Sequence, residues 1–318
     1  MLDAPVISII TPSYNQGEFL EETLVSVLSQ EGDFFLDYLV IDGGSTDDSP
    51  EIIRRYAELL DKNEWQVRCR GIRYRWLSEP DHGQSDALMK GFKMAEGDVF
   101  AWLNSDDVYL PGTLQKITML FGDNPGMALI YGDAQYCDED GKVIGMYPAE
   151  AFDYEKLAWF NFICQPSAFF KKGAFDDVHG IDESLHFAID YDLFLRIGKR
   201  FKVLYHAEIF SKYRLHEQAK TINEEIQYKN HEETLCVAIK HFDWAPLNRV
   251  YGSCYSKCVK SLPKNFVRFN FLTILIAINF TLLRSIRLNR GIRKQDIKLV
   301  TYDNLKKLFR SRTSNLVG

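Results

Sequence analysis

Leu103-Asn104-Ser105-Asp106-Asp107 follows the apolar run Asp98-Val99-Phe100-Ala101-Trp102. Two adjacent acids at the end of a buried strand are costly unless something positive sits against them. A divalent cation holding a diphosphate meets that need, because Mg²⁺ and Mn²⁺ take one or two carboxylates together with phosphate oxygens. The local alternative is that Asp106 or Asp107 caps the helix starting near Pro111. The neighbours of these acids decide between the two.

Strand and helix patterns alternate through the first half of the chain. Val6–Thr11, Tyr38–Asp42, Ile72–Leu77 and Val99–Leu103 read as strands, and Glu18–Gln30, Asp48–Asp61 and Gln84–Ala95 as the helices between them. Apolar strands in βαβ order imply a mainly parallel sheet covered on both faces, with ligands beyond the carboxyl ends of the strands. A polar cluster follows every one of these strands: Thr11-Pro12-Ser13-Tyr14-Asn15, Asp42-Gly43-Gly44-Ser45-Thr46-Asp47, Ser78-Glu79-Pro80-Asp81-His82-Gly83-Gln84-Ser85-Asp86 and Asn104-Ser105-Asp106-Asp107. All four fall on one edge of the sheet, so a shared site outweighs four separate caps. Asp42 can accept a hydrogen bond from a base or ribose, or, with Ser45, order its own turn. Gly43-Gly44 permits close approach of a ligand. No GxGxxG follows a strand and no GxxxxGK[ST] occurs, which disfavours a dinucleotide oxidoreductase and a P-loop ATPase.

Further on, Ala128–Tyr131 reads as a strand, Gly141 as the turn between Ala134–Cys137 and Lys142–Met146, and Ser167–Lys171 as a strand. Ala188–Lys199 reads as a helix, Val203–Tyr205 and Ile209–Arg214 as strands, and the chain from Glu217 as mostly helical. Trp102 and Trp159 read as core residues rather than sugar platforms.

Of 318 residues, 46% are hydrophobic and 14% aromatic, enough for one large α/β domain with an appendage. Charge is uneven: from Lys260 to Gly318 there are 13 Lys+Arg and 2 Asp+Glu, a net of +11, so with −6 overall residues 1–259 carry −17. A basic tail on an acidic body points to an anionic surface. Six cysteines without CxxC spacing, and a first segment with neither a basic nor a long apolar region, lead to the expectation of a reduced, cytoplasmic protein.

Six motifs, in order, resemble the family 2 glycosyltransferases, which have the GT-A fold. They are Ile10-Thr11-Pro12-Ser13-Tyr14-Asn15, Val40-Ile41-Asp42-Gly43-Gly44-Ser45-Thr46-Asp47, Ser78 through Ala87, Asn104-Ser105-Asp106-Asp107, Ala188-Ile189-Asp190-Tyr191-Asp192-Leu193 and Tyr213-Arg214-Leu215-His216. The resemblance implies a GT-A-type, Rossmann-like, mainly parallel sheet flanked by helices. Residues 1–220 would form the catalytic domain, its nucleotide-sugar half over about 1–110 and its acceptor half over about 111–220. Residues 221–318 would form a helical, basic extension.

Site roles follow from the same resemblance. Thr11, Pro12, Tyr14, Asp42 and Gly43 would hold the nucleoside, and Asp81, Asp86, Asn104 and Asp106 the nucleotide and donor sugar. Asp107 and His216 would hold Mn²⁺ or Mg²⁺, with Asn104 standing where the family's motif begins with Asp. Asp190 would be the catalytic base, with Asp192 its rival, and Gln165 and Asp192 would face the acceptor. Arg214 fits either a phosphate contact or a loop brace. A metal beside the leaving diphosphate and a base for the acceptor hydroxyl are what sugar transfer requires. A base opposite the leaving group inverts the anomeric carbon, in parallel with inverting hydrolases.

Phe269–Leu283 is uncharged between Arg268 and Arg284, and as a helix of about 22 Å it falls short of a bilayer's hydrocarbon core of about 30 Å. Asn270, Thr273, Ala277, Thr281 and Arg284 share one face, broadly opposite Leu272, Leu275, Ile276 and Leu283, with Arg287, Arg290, Arg293, Lys294 and Lys298 beyond. This fits a helix lying in an anionic membrane interface, with packing on the protein or in a dimer the plainer alternative and a single membrane span the third. The expected protein is a cytoplasmic, peripheral, inverting glycosyltransferase. It would use a nucleoside-diphosphate sugar and a glycan or lipid-linked acceptor, and would not bind nucleic acid. The rivals are a nucleotidyltransferase, for which the basic loop after the first strand is missing, and a non-catalytic sugar-nucleotide binder or scaffold.

Overall fold

The computed structural model describes residues 4–216, 224–261 and 270–291. These divide into two compact units, residues 4–157 with 161–216, and residues 158–160 with 224–261 and 270–291.

In chain order the first unit contains β1 (Val6–Ser13), α1 (Gly17–Leu28), β2 (Phe35–Asp42), α2 (Ser49–Asp61), β3 (Gly71–Ser78), α3 (Gln84–Met94), β4 (Val99–Trp102) and β5 (Val108–Tyr109). It continues with α4 (Thr113–Asp123), β6 (Met127–Cys137), β7 (Val143–Met146), β8 (Ala168–Lys171), α5 (Lys172–Asp177), α6 (Ile189–Arg200) and β9 (Lys202–Arg214). One sheet runs β3-β2-β1-β4-β8-β6-β9-β5, with β7 on β6. β1 to β4 are mutually parallel, as their continuous apolar runs require. Ile7, Ile9 and Ile10 of β1 and Leu39, Val40 and Ile41 of β2 are wholly buried. The α1 residues Leu20, Leu24, Val27 and Leu28 and the α2 residue Ile53 fill one face. Beyond β4 the sheet turns mixed, and there the sequence patterns read least cleanly.

The expected hairpin forms: β6 pairs antiparallel with β7 around Gly141, which sits at φ +77°. The two strands expected over 203–214 are a single strand, β9, carrying an irregularity. Its register against β6 passes from Gly132↔His206 to Asp133↔Ile209, so extra residues bulge on the β9 side. A Cβ at Gly132 would lie 2.5 Å from the Glu208 carbonyl oxygen, so the bulge closes only over glycine. The helix expected near Pro111 begins at Thr113 with Gly112 as its cap, and neither Asp106 nor Asp107 caps it.

The second unit has α7 (Glu224–Phe242), α8 (Leu247–Ser261) and α9 (Asn270–Asn289). Leu235, Ala245, Val250 and Cys254 form one core cluster, and Tyr255, Cys258, Ile274 and Ala277 another. Thus Cys254 and Cys258 pack, as their helical spacing indicates. α9 is 20 residues long and longer than its uncharged stretch. Arg284 does not end it, because Glu232 accepts two hydrogen bonds from its guanidinium at 2.8 and 2.8 Å. Arg293, Lys294 and Lys298 lie outside the described residues.

Gly132→Ala should lower stability by about 1–3 kcal/mol in urea unfolding, since β6 and β9 must separate to admit a methyl group. An unchanged midpoint would mean that the bulge relaxes freely. Hydrogen bonding from Arg284 holds the Glu232 carboxyl below its usual range. The pair therefore contributes stability above the unfolded value, near pH 4.3, and this is lost as pH falls through the lower folded value. Glu232→Gln should flatten that acid limb in thermal scans from pH 6 to 3, scanned about every half unit.

Candidate active site

β1, β2 and β3 end level, with Ser13 opposite Asp42 and Asp42 opposite Ser78. Loops one and two are clamped together. Asn15, at φ 51°, donates its backbone N–H to Ser45 Oγ (2.8 Å) and accepts from the Thr46 N–H (2.9 Å). Such left-handed geometry is tolerated by Asn. Asp42 is wholly buried and accepts from the Gly44 and Ser45 N–H groups (3.2 and 3.0 Å), from Ser78 Oγ (2.6 Å) and from Ser45 Oγ. Its carboxylate therefore orders the turn. The Thr11 hydroxyl is likewise buried, 2.9 Å from the Tyr38 hydroxyl, and Pro12 is buried beside it. Tyr14 is the member of this loop that faces solvent, 61% exposed. A Cβ at Gly43 would lie 2.8 Å from Asp81 Oδ2, and Gly44 sits at φ +79°, so the double glycine lets the third loop close over the second. Asp81 accepts from the Gly83 N–H (2.8 Å). Asp86 accepts from the His82 N–H (3.0 Å) and pairs with Lys90 (3.4 Å), which bends that loop; the His82 hydrogen bond holds its carboxyl below the usual range.

Asn104 is the hub of the fourth loop. Its amide accepts from Gln84 Nε2 (2.8 Å) and donates to Asp107 Oδ2 (3.3 Å) and Gln165 Oε1 (3.0 Å). Gln165 Nε2 donates to the Trp102 carbonyl (2.7 Å), so this side chain braces β4. Asp107 is 1% exposed. Its Oδ1 accepts from the Arg214 backbone N–H at 3.0 Å. Burial pushes its carboxyl well up, the neighbouring Asp106 charge adds to this, and the hydrogen bonds from Arg214 and Asn104 oppose it.

Arg214 settles as a brace. Its Nε donates to the Asp106 carbonyl (2.9 Å), its Nη1 to the Asp138 and Glu139 carbonyls (3.1 and 2.7 Å), and its Nη2 to Glu22, with the guanidinium 5.1 Å from the Phe19 ring centre. Asp106, unlike Asp107, reaches solvent with 21% of its side chain, and its Oδ2 lies 3.0 Å from His216 Nε2. Of the two acids, Asp106 is the one that reaches solvent, while both Asp107 oxygens already accept hydrogen bonds, from the Arg214 N–H and from Asn104 Nδ2. Among the described residues no group of three or more His, Cys, Asp and Glu side chains forms a metal cage. Asp106 and His216 nevertheless fit a divalent ion that draws its other ligands from phosphate and water, the habit of Mg²⁺ and its relatives.

Asp190 stands in the first turn of α6, which Ala188 caps, and accepts from Asn161 Nδ2 at 3.2 Å. Asn161 is steadied in turn by the Tyr147 hydroxyl on its carbonyl (2.7 Å). Burial pushes the Cys164 thiol well up, and the charges of Asp107 and Asp190 add to this. Asp192 does not face an acceptor. It is wholly buried against Arg196 Nε (2.7 Å), and Arg196 also binds the Val178 and Gly180 carbonyls (2.6 and 2.5 Å), which anchors α6. Sequence reasoning missed Glu22, Gln84 and Asn161 as supports. Gln84 and Arg214 lie inside quoted motifs, whereas Glu22 on α1 carried no local signal.

The profile described as Glycosyl transferase family 2 matches residues 8–178, more than half of the chain. The PGL/p-HBAD biosynthesis glycosyltransferase of Mycobacterium tuberculosis is 30% identical over 195 residues, 61% of this chain and 70% of that protein. The chondroitin synthase of Escherichia coli is 25% identical over 253 residues, 77% of this chain and 35% of that one. Among solved structures, Staphylococcus aureus TarS 1–349 in complex with UDP-GlcNAc aligns with a TM-score of 0.56 at 15% identity, covering 97% of this chain and 92% of that one. The mannosyltransferase PcManGT of Pyrobaculum calidifontis, in complex with GDP-Man and Mn²⁺, aligns with a TM-score of 0.59 at 15% identity, covering 98% and 83%. The fold is that of GT-A glycosyltransferases, and the chain belongs to glycosyltransferase family 2.

Asn104→Asp, though it supplies the acid that opens the family's motif, should destabilise the protein by about 1–3 kcal/mol in urea unfolding. It replaces a donor by an acceptor against Asp107 Oδ2 and Gln165 Oε1. Wild-type stability in this variant would contradict the hub.

Proposed function

We propose that this family 2 glycosyltransferase moves a sugar from a nucleoside-diphosphate donor to a glycan or lipid-linked acceptor, with inversion and with help from Mn²⁺ or Mg²⁺. The observation that carries the reading is the Asp106 carboxylate, which reaches solvent at the carboxyl edge of the parallel strands with its Oδ2 3.0 Å from the buried His216 Nε2. A bound divalent ion supplies fixed positive charge where the leaving diphosphate develops negative charge.

The remaining work falls to the chain. Asp106 and His216 hold the cation side of the donor, and Arg214 and Asn104 keep Asp106 in place through its backbone and its neighbour. Tyr14, exposed at the end of β1, offers a ring for the nucleobase, and Asp81, packed over Gly43, flanks the nucleotide. Asp190 takes the proton from the acceptor hydroxyl as that oxygen attacks the anomeric carbon, and Asn161 fixes the carboxylate's orientation. Attack opposite the departing diphosphate gives a single displacement. The names of the sequence relatives, one for PGL/p-HBAD biosynthesis and one a chondroitin synthase, agree with a step in building a glycolipid or polysaccharide. The +11 charge of residues 260–318 supports a peripheral position on the cytoplasmic side of an anionic membrane.

Release of nucleoside diphosphate from a panel of UDP-, GDP- and dTDP-sugars, with and without Mn²⁺ and a glycolipid extract, checks this. Release should require metal and acceptor, and should fall by about 10²–10⁴-fold in Asp190→Asn while donor binding persists. Undiminished release in that variant would remove Asp190 as the base, and no binding of any donor would remove the function.

A further inference from the structure

α9 is amphipathic the wrong way round for a helix of a water-soluble bundle. Thr273, Ala277, Thr281 and Ser285, spaced four apart, are its buried side, together with Ile274. On the other side Leu272, Leu275, Phe280, Leu282, Leu283 and Ile286 are 39–68% exposed, Leu283 the most. Small and hydroxylated residues, with Ile274, Ile276 and Ile278, thus face the neighbouring helices, while the leucines, Phe280 and Ile286 face away. A contiguous exposed patch of this kind marks an interaction surface.

The helix is also pinned. Arg284 pairs with both Glu232 oxygens on α7 and donates to Ser253 on α8, and Asn289 exchanges hydrogen bonds with the Ala245 N–H and carbonyl (2.8 and 2.9 Å). By length and composition Leu272–Asn289 could cross a bilayer, at mean hydropathy 1.3. Crossing would draw the Arg284–Glu232 pair and the adjoining α8, with Arg249, Lys257 and Lys260, toward hydrocarbon, where each charge costs about 2.5–3.5 kcal/mol or more. Lying flat costs none of this.

We infer that the outward face of α9 is a lipid-docking surface, which lies in the plane of an anionic bilayer interface with Leu275, Leu283 and Ile286 among the acyl chains. Arg287 and Arg290, exposed at its C-terminal end, meet the headgroups, and the +11 charge of residues 260–318 supplies the attraction. That same charge selects lipid over a second copy of the chain, since pairing two such faces would bring two strongly positive segments together. The inference rests on the membrane part of the proposed function and is independent of sugar transfer.

The test is flotation of the full-length protein with vesicles of phosphatidylcholine, alone or mixed with phosphatidylglycerol. Wild type should float with the mixed vesicles only. Leu283→Glu combined with Ile286→Glu should reduce flotation by about tenfold or more while leaving the helical circular dichroism and thermal midpoint unchanged. Arg287→Glu combined with Arg290→Glu should reduce it too, and that loss should be reproduced in wild type by high salt. Full flotation of the Leu283/Ile286 variant would overturn the inference and leave the basic region as the sole membrane contact. Failure of wild type to float would remove membrane association itself. A variant that keeps flotation but changes from dimer to monomer would assign the face to a second copy.

Discussion

Asp107 is an acid that water does not reach, and the active edge of the first unit is built to tolerate it. An unpaired buried carboxylate costs several kcal/mol, so its partners must be held firmly. One partner is the Arg214 backbone N–H at the end of β9, and another is the Asn104 amide one turn earlier in its own loop. The Arg214 side chain then reaches the Asp106 carbonyl, the β6–β7 turn at Asp138 and Glu139, and Glu22 on α1. Four distant segments of sequence thus converge on one pair of acids. Because Asp107 faces inward, Asp106 is turned outward beside His216. The buried acid is a fixture, and the outward one reaches solvent.

The parallel half of the sheet serves the same end by other means. Strands ending in register bring three loops to one height, and the contacts between those loops fix them with backbone and hydroxyl groups. Most polar residues of these loops are consumed in that scaffolding. What remains accessible includes the Tyr14 ring and part of the Asp106 and Asp190 side chains.

Fold class was legible because it depends on periodicity. Continuous apolar strands, each followed by an amphipathic helix, admit few arrangements, and β1 to β4 lie where those patterns put them. The reading weakened from β5 onward, where strands are two to four residues long or carry a bulge, as β9 does opposite Gly132. In the site, motif positions identified the right loops but not which atoms face the solvent. Asp107 and Asp106 are adjacent letters in one motif, and only the long-range hydrogen bond from Arg214 decides which is buried. Asp192 and Asp190, two apart on a helix turn, diverge for the same reason: Arg196 claims the first. In α9 the sequence pattern groups Thr273, Ala277 and Thr281 on one face and Leu272, Leu275 and Leu283 on the other, although Ile276 packs inward; that the hydroxylated face is the buried one depends on partners such as Glu232, some fifty residues away.

The most direct test of the account is paramagnetic titration of Mn²⁺ in the presence of a nucleoside diphosphate, read by electron paramagnetic resonance on wild type, Asp106→Asn and Asp107→Asn. The account predicts that Asp106→Asn weakens Mn²⁺ binding by about tenfold or more, whereas folded Asp107→Asn stays within a few-fold of wild type. The opposite ranking, with Asp107→Asn losing the ion and Asp106→Asn keeping it, would contradict the assignment of the outward acid as the one that meets the cation.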